Sequence, residues 1–196
     1  MSLPDGLRLR RAHPQDLDDV MWLEHASFPT DAWSASQMSG ELYSPHGYYI
    51  VVETTEGGAP TIVGYAGLSS LAGNPVADVQ TIAVAADRRG TGIGRVLFTE
   101  LLDEARRRGV REVFLEVRAD NPVAQAMYTG FGFERIAVRP RYYQPDGVDA
   151  WVMRAELSPA ASTAGPASAS APAPAPSPAP TPGVGPIGQE TLDERD

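Results

Sequence analysis

The stretch RRGTGIG at residues 88–94 places three glycines at alternate positions between two differently patterned segments. The apolar run VADVQTIAVA precedes it as a strand would, and apolar side chains recur at helical spacing after it. Such a glycine turn leaves backbone N–H groups uncovered at a helix N-terminus, where partial positive charge favours an anion. Arg88 and Arg89 add formal charge beside it. The turn predicts a phosphate-binding site; the alternative is a tight turn with solvated arginines.

Two common phosphate-binding motifs and a metal site are excluded by the residue types present. All 16 basic residues are arginine, so the chain has no lysine for a Walker A loop or a Schiff base. A Rossmann fingerprint needs G-x-G-x-x-G, whereas Arg95 follows the glycines at 90, 92 and 94. The chain lacks cysteine, and its three histidines show no metal-ligand spacing. We therefore expect neither thiolate chemistry nor a bound metal.

Strand-like and helix-like patterns alternate through residues 1–157 in the order β-α-α-β-β-β-α-β-α-β-β. A short helix is predicted to begin at Pro122, with Asn121 as its N-cap, and to end at Gly130. Strands dominate the start, so regular βαβ alternation is not expected. The pattern predicts one α/β domain (α+β-like) built on a mixed sheet.

Charge and composition limit the partners of this domain. The net charge is −9, and residues 1–157 carry −6, from 21 acids and 15 arginines. An acidic domain is a poor binder of nucleic acid.

No signal-like segment or long apolar span is visible, so a cytoplasmic protein without a membrane span is expected. Residues 158–196 are rich in Ser, Pro, Ala, Thr and Gly, have little to pack, and are predicted to be a disordered tail.

The segment QTIAVAADRRGTGIGRVLF resembles the acetyl-coenzyme A motif of the GNAT N-acetyltransferases. The family pattern Q/R-x-x-G-x-G/A is met here by Arg89, Gly92 and Gly94. FLEVRADNPVAQAMYTGFGF, RPRYYQPDGVDAWVM and FPTDAWSASQM resemble the RimI branch, the ribosomal-protein-alanine N-acetyltransferases. The resemblance covers about residues 7–157 and implies a mostly antiparallel mixed sheet flanked by helices, with acetyl-coenzyme A as cosubstrate.

The resemblance also implies which residues bind the cosubstrate. The glycine turn would hold the pyrophosphate, the preceding strand would hydrogen-bond the pantetheine arm through its backbone, and two later side chains would complete the site. The residues concerned are Ile82, Ala83, Val84, Arg89, Gly90, Thr91, Gly92, Ile93, Gly94, Asn121 and Tyr128.

Glu116 is the candidate general base. Acetyl transfer to an amine needs a neutral amine and a route for its proton, and an α-amine with a pKa of roughly 7.7–8.0 requires only a modest base. Strand alternation places Glu116 on the face of Phe114, opposite Val113, Leu115 and Val117, in surroundings that would raise its pKa. The alternative is a structural ion pair, for example with Arg118. The resemblance favours the base, acting directly or through water.

The remaining site residues rest on the resemblance. Tyr128 would act as acid or hydrogen-bond donor at the coenzyme sulfur, although the residue pattern alone favours a packing role. Tyr142 and Tyr143 would clamp the N-terminus of the acceptor, and Phe28 with Pro29 and Trp33 would form the opposite wall.

Three functions remain open from the sequence. The first is N-terminal acetylation of a protein, above all of the N-terminal alanine of the eighteenth small-subunit ribosomal protein, with wider specificity allowed. The second is acetylation of a small-molecule amine. The third is a non-catalytic, coenzyme A-binding interaction protein. A monomer or weak dimer is expected.

Overall fold

The computed structural model describes residues 3–56 and 58–158 of the 196-residue chain. The strands are β1 (Leu7–Arg11), β2 (Gly47–Thr54), β3 (Thr61–Ser69), β4 (Val76–Val84), β5 (Glu112–Arg118), β6 (Glu134–Tyr143) and β7 (Val148–Glu156). The helices are α1 (Leu17–Ser27), α2 (Ala35–Tyr43), α3 (Ile93–Arg107) and α4 (Pro122–Thr129), with short 3₁₀ turns at Pro14–Asp16 and Ala86–Arg88. The predicted order of elements is confirmed. The predicted tail lies outside the described residues, apart from Ser158.

The seven strands form one sheet in the order β1-β2-β3-β4-β5-β7-β6. Every neighbouring pair is antiparallel except β4 and β5, which run parallel. The expected α/β fold with a mixed, mostly antiparallel sheet is therefore confirmed. Within the described residues, no helix combines the length and the apolar character needed to cross a membrane.

Strands β4 and β5 separate soon after they meet. Only Val76, Ala77 and Asp78 of β4 pair with β5, although β4 continues to Val84. From residue 79 onward, the edge of β4 that faces β5 has no strand partner, whereas its other edge stays paired with β3 as far as Val84. The two strands therefore diverge and leave a cleft in the middle of the sheet.

Helices cover both faces of the sheet. The apolar face of α3 packs on one side, with its buried residues Ile93, Val96, Leu97, Phe98, Leu101, Leu102 and Ala105. Helices α1 and α2 cover the other side through a smaller apolar cluster that includes Val20, Leu23 and Met38. The period of about 3.6 residues in α3 gives this helix the wide apolar face that the sequence predicts.

A β-bulge in β4 changes which side chains face each layer. Leu68 of β3 pairs with Val79, and Gly67 pairs with Thr81, so Gln80 is the extra residue. Val79 packs in the α3 layer, but Ala83 packs in the α1 layer, which strict alternation would not allow. The bulge thereby turns the second half of β4 over as it enters the cleft.

Candidate active site

The cleft between β4 and β5 contains a cavity of about 520 Å³. Its walls are formed by residues that lie between Glu24 and Tyr143 in the sequence. The site residues predicted from sequence that line it are Phe28, Trp33, Ile82, Ala83, Val84, Arg89, Gly94, Glu116, Asn121, Tyr128, Tyr142 and Tyr143. Gly90, Thr91, Gly92 and Ile93 form the adjoining turn but do not line the cavity, and the Ile93 side chain is buried in the core instead.

The glycine turn is left-handed at two of its glycines. Gly90 and Gly92 have φ values of +77° and +92°, a left-handed conformation that side chains other than hydrogen disfavour. A Cβ atom at either position would meet nothing within 4 Å, so open space lies over the turn. The first turn of α3 has no side-chain cap, and its leading N–H groups lack helical partners. The turn therefore offers uncapped donors on an uncovered surface.

The two arginines of the turn have different surroundings. Arg88 lies 2.6 Å from Glu56 through Nη2 and Oε2, and this contact compensates its charge. Arg89 donates from Nε to the Val84 carbonyl at 3.1 Å, and it lines the cavity. Of the two arginines of the turn, Arg89 is the one that lies at the cleft.

Glu116 projects into the cleft from β5. Val113, Leu115 and Val117 are buried on the opposite face, as the alternation predicts. Oε1 of Glu116 lies 3.2 Å from Nη2 of Arg139, and the glutamate side chain is 16% exposed. Burial raises the pKa of Glu116, and the charge of Arg139 opposes that rise. The example pairing with Arg118 is wrong: the cation beside Glu116 comes from β6.

Arg118 instead joins three acidic residues from different segments. It lies 3.1 Å from Asp120, 3.1 Å from Asp146 in the β6–β7 turn, and 3.6 Å from Asp31 in the α1–α2 loop. Thr30 also donates to Asp146, at 3.0 Å, so the loop and the turn touch directly. Arg118, which lines the cavity, therefore connects the α1–α2 loop with the β6–β7 turn.

Tyr128 is 5% exposed and packs its ring against Phe98 and Phe133, with centroids 5.0 and 6.3 Å away. Burial raises the pKa of its phenol, and no described residue hydrogen-bonds the hydroxyl. The packing role expected from the residue pattern is thus present. The hydroxyl is nevertheless left without a partner beside the cavity.

Asn121 caps α4, because its side-chain oxygen accepts a hydrogen bond from the Ala124 N–H at 3.1 Å. The predicted N-cap is confirmed, and the residue also lines the cavity.

Tyr142 and Tyr143 meet edge to face, with ring centroids 5.2 Å apart, and burial raises the pKa of both phenols. Phe28 and Trp33 lie on the α1–α2 side of the same cavity.

Two carboxylates at the cavity, one buried and one half-buried, were missed by sequence reasoning. Glu24 is 1% exposed; it accepts hydrogen bonds from the Tyr65 hydroxyl and, at 2.9 Å, from the Trp33 N–H. Burial raises the pKa of Glu24. Asp78 lies on β4, and burial raises its pKa to about 6, with a further contribution from the charge of Glu116. A lone acid within the apolar strand VADVQTIAV was the available signal for Asp78, whereas an acid on a helix such as α1 is too common to be informative.

Three comparisons with known proteins agree on one kind of protein. The profile of the Acetyltransferase (GNAT) family matches residues 14–133. The chain is 46% identical over 128 residues to N-alpha-acetyltransferase RimI of Mycobacterium tuberculosis, covering 64% of this chain and 77% of that protein. It is 44% identical over 146 residues to an uncharacterized protein of Mycobacterium leprae, ML0378, covering 73% of this chain but only 39% of that longer protein.

A solved structure extends the comparison to the fold. The ribosomal-protein-S18-alanine N-acetyltransferase of Escherichia coli superposes with a TM-score of 0.70 at 26% identity. The match covers 81% of this chain and 98% of the other. The similarity therefore extends over most of this chain and nearly all of the other.

Proposed function

Because this chain belongs to the GNAT family of acetyl-coenzyme A-dependent N-acetyltransferases, in its RimI branch, we propose that it acetylates the N-terminal α-amine of a protein. The proposed acceptor is the N-terminal alanine of ribosomal protein bS18, with other N-termini accepted as well. The substrate named for the Escherichia coli structure supports this acceptor. The proposed place of action is the cytoplasm.

The glycine turn and β4 are the proposed cosubstrate site. The residues present fit the group: uncapped N–H donors and Arg89 suit a pyrophosphate, and the space above Gly90 and Gly92 admits it. The unpaired edge of β4 near Ile82 and Val84 offers backbone groups to an extended amide chain. When bound there, acetyl-coenzyme A supplies an acetyl group activated as a thioester.

Glu116 is proposed to receive the proton of the acceptor amine, directly or through water. Its partly buried carboxylate has a raised pKa, which brings its proton affinity closer to that of an α-amine. The charge of Arg139 favours the ionised form of the carboxylate, which is the form that accepts a proton. Burial and the arginine thus oppose each other and set its basicity.

Tyr128 is proposed to donate a hydrogen bond or a proton to the departing sulfur. Its raised pKa keeps the phenol protonated at neutral pH, as a donor must be. Its hydroxyl lacks a partner among the described residues, and its ring is held by Phe98 and Phe133. A rigid donor with a free hydroxyl suits a charge that develops only during reaction.

The acceptor end of the cleft is proposed to hold an extended peptide N-terminus. Phe28 and Trp33 would form one wall, and Tyr142 and Tyr143 the other. Ser27 lines the same cavity, and its buried Oγ has no hydrogen-bond partner within the described residues, so it is available to a peptide. The observation that carries the whole proposal is that Glu116 and Tyr128 line one cleft together with Arg89 of the glycine turn.

The test compares acceptors at fixed acetyl-coenzyme A. A peptide beginning Ala-Arg-Tyr should be acetylated at its α-amine, while the same peptide with a blocked N-terminus, an amino sugar and a polyamine should not. Turnover of free amines with inert peptides would reject the proposal. Mass spectrometry of ribosomal protein N-termini, with and without this protein, would then identify the cellular acceptor.

The catalytic unit is proposed to lie within residues 1–157. Leu157 is 7% exposed, and its N–H bonds to the Arg111 carbonyl at 2.7 Å, so the described fold is complete there. A chain ending at Ser158 should keep the turnover of the full chain. A large loss of activity would assign a role to residues 159–196.

A further inference from the structure

Tyr142 and Tyr143 are consecutive residues at the end of β6, yet both line the cavity. Successive side chains of a regular strand project to opposite faces of the sheet. The two rings nevertheless meet edge to face, with centroids 5.2 Å apart. The backbone of β6 must therefore depart from regular strand geometry close to this pair.

The register of β6 against β7 shows where the departure lies. Arg139 pairs with Ala150. The next pair joins Tyr143 to Val148, four residues further along β6 but only two residues away on β7. Two extra residues are thus accommodated in β6, as in an enlarged β-bulge. Arg141 lies inside this stretch with a φ of +52°, and among the non-glycine residues that the structure describes it alone has a positive φ.

Two side chains hold the backbone of Arg141 in this disfavoured conformation. Its N–H donates to Oδ1 of Asp149 at 2.8 Å, and its carbonyl accepts from Nε2 of Gln144 at 2.7 Å. Gln144 follows Arg141 by only three residues, whereas Asp149 lies on β7 between the paired residues Val148 and Ala150. The charge-assisted hydrogen bond to Asp149 therefore ties the left-handed residue to the sheet.

The two tyrosines contact arginines of the candidate site. Cζ of Arg139 lies 5.5 Å from the ring centroid of Tyr142, and Cζ of Arg118 lies 5.1 Å from that of Tyr143. These are the arginines that pair with the candidate base and that connect the α1–α2 loop with the β6–β7 turn. A change of backbone conformation at Arg141 would move both rings relative to these cations.

We propose that Asp149 is a positioning residue for the acceptor: by accepting the Arg141 N–H, it holds β6 in the left-handed conformation that brings the two tyrosines together at the cleft. The inference rests on the proposed function, because the tyrosines are the proposed wall for the peptide N-terminus. Asp149 itself is not among the residues that line the cavity, so it acts through the backbone of β6. It sets the affinity for the acceptor and takes no part in proton transfer.

The test measures peptide KM, kcat and the dissociation constant of acetyl-coenzyme A in Asp149→Ala and Asp149→Asn. Asp149→Ala should raise peptide KM at least about fivefold, the order expected when one hydrogen bond is lost. Its kcat should stay within about twofold of wild type, and acetyl-coenzyme A binding should be unchanged. Asp149→Asn should resemble wild type, because its amide oxygen still accepts the Arg141 N–H. Glu156→Ala, which removes a carboxylate from the other end of β7, is the matched control.

A second substitution separates positioning from a general loss of structure. Glycine adopts a positive φ readily, so Asp149→Ala/Arg141→Gly should recover part of the lost peptide affinity without the hydrogen bond. Asp149→Ala/Arg141→Ala loses the same side chains but keeps a Cβ at residue 141, so it should recover none. Thermal melts should rank the glycine variant above the alanine variant, because a Cβ disfavours the left-handed conformation.

Three results would overturn the inference. The first is an unchanged peptide KM in Asp149→Ala. The second is a KM in Asp149→Asn as high as in Asp149→Ala, since the charge and not the hydrogen bond would then matter. The third is the same KM in both double variants, since the conformation of Arg141 would then be irrelevant.

The experiment remains decisive if a variant or the proposed function fails. If Asp149→Ala does not fold, judged by circular dichroism, Asp149→Val takes its place, because valine suits a strand and accepts no hydrogen bond. If wild type acetylates free amines but no peptide, the proposed function is wrong. Crystal structures of wild type and Asp149→Ala then still test the positioning role, and tyrosine rings that keep their positions in Asp149→Ala would reject it.

Discussion

Arg139 of β6 reaches across β7 to form an ion pair with Glu116 of β5, with 3.2 Å between Nη2 and Oε1. Two strand spacings, roughly 9–10 Å, separate the backbones of β5 and β6. Arg139 lies opposite Ala150 in the register, and the small alanine leaves room for the guanidinium to cross. The cation that adjusts the candidate base is therefore supplied by an edge strand.

Replacing Arg139 with Gln should move the acid limb of the pH profile of kcat/KM to higher pH. Arg139 lowers the pKa of both Glu116 and Asp78, so its removal lets burial raise them further. A base must be unprotonated to act, and activity below neutral pH is lost first. Arg139→Lys, which keeps the charge, should lie between the two profiles. An acid limb that does not move in Arg139→Gln would contradict this account.

Replacing Tyr128 with Phe should lower kcat at least about tenfold without weakening acetyl-coenzyme A binding. The ring contacts with Phe98 and Phe133 remain, and the hydroxyl forms no hydrogen bond with the described residues that folding would miss. Tyr43→Phe, at an exposed position on α2, is the control. Steady-state rates measure the change in kcat, a binding titration measures the affinity for acetyl-coenzyme A, and a thermal melt measures stability. A normal kcat in Tyr128→Phe would leave Tyr128 with a packing role only.

Two glycines of the turn should respond differently to alanine. At Gly94 a Cβ would meet Met127 and Val84 only at ordinary distances of 3.7 and 3.8 Å. Gly94→Ala should therefore fold normally and still weaken acetyl-coenzyme A binding several-fold, if the pyrophosphate sits there. Gly92→Ala should in addition lose about 1–2 kcal/mol of stability, because alanine resists a left-handed conformation.

Gly109 provides the control for that pair. Its φ of +75° ends α3 away from the cleft, and a Cβ there also meets nothing within 4 Å. Gly109→Ala should lose similar stability but bind acetyl-coenzyme A normally in a calorimetric titration. Equal binding by all three variants would argue against the turn as the pyrophosphate site.

Replacing Arg118 with Gln should raise the peptide KM at least about fivefold while leaving acetyl-coenzyme A binding intact. Arg118 holds the Asp31 loop and the Asp146 turn together, and its loss leaves carboxylates that repel one another. Arg118→Lys keeps the charge but loses the planar fork, and should recover only part of the affinity. Arg154→Gln, on β7 and paired with Glu112, is the control. An unchanged KM would show that the two segments need no connection.

Replacing Glu24 with Gln should flatten the dependence of stability on pH. Burial raises the folded-state pKa of Glu24 above its ordinary 4.5, so the folded state holds the proton more tightly. Wild-type stability from this group is then present below about pH 4.5 and declines as the pH rises through the folded-state pKa. The free energy of unfolding in denaturant, measured at pH 5 and pH 8, should fall more in wild type than in Glu24→Gln. Equal slopes would exclude a raised pKa at Glu24.

Local patterns were sufficient for the elements and for part of the site. The glycine turn, the cap at Asn121 and the faces of β5 depend on neighbours within a few residues, so the sequence alone predicts them. The position of Glu116 on the cleft side of its strand follows from the same alternation. The family resemblance added the chemistry, which no periodicity contains.

Contacts between distant segments could not be predicted in this way. The bulge at Gln80 reverses the faces of β4, and no turn residue or proline marks it in the sequence. Arg139 rather than Arg118 pairs with Glu116, because the sheet order places β7 and then β6 beside β5. Asp78 lines the cavity because its strand separates from β5 at that residue.

The amino-acid sequence by itself determined the order of strands and helices, the glycine turn between β4 and α3, and the side of β5 that carries Glu116. The tertiary structure decided the partners and the pKa of the cleft carboxylates. The physical reason is how far apart in the chain the interacting residues lie. Backbone conformation and side-chain alternation are set by adjacent residues. Burial and charge compensation depend on side chains from distant segments, which the sheet order brings together.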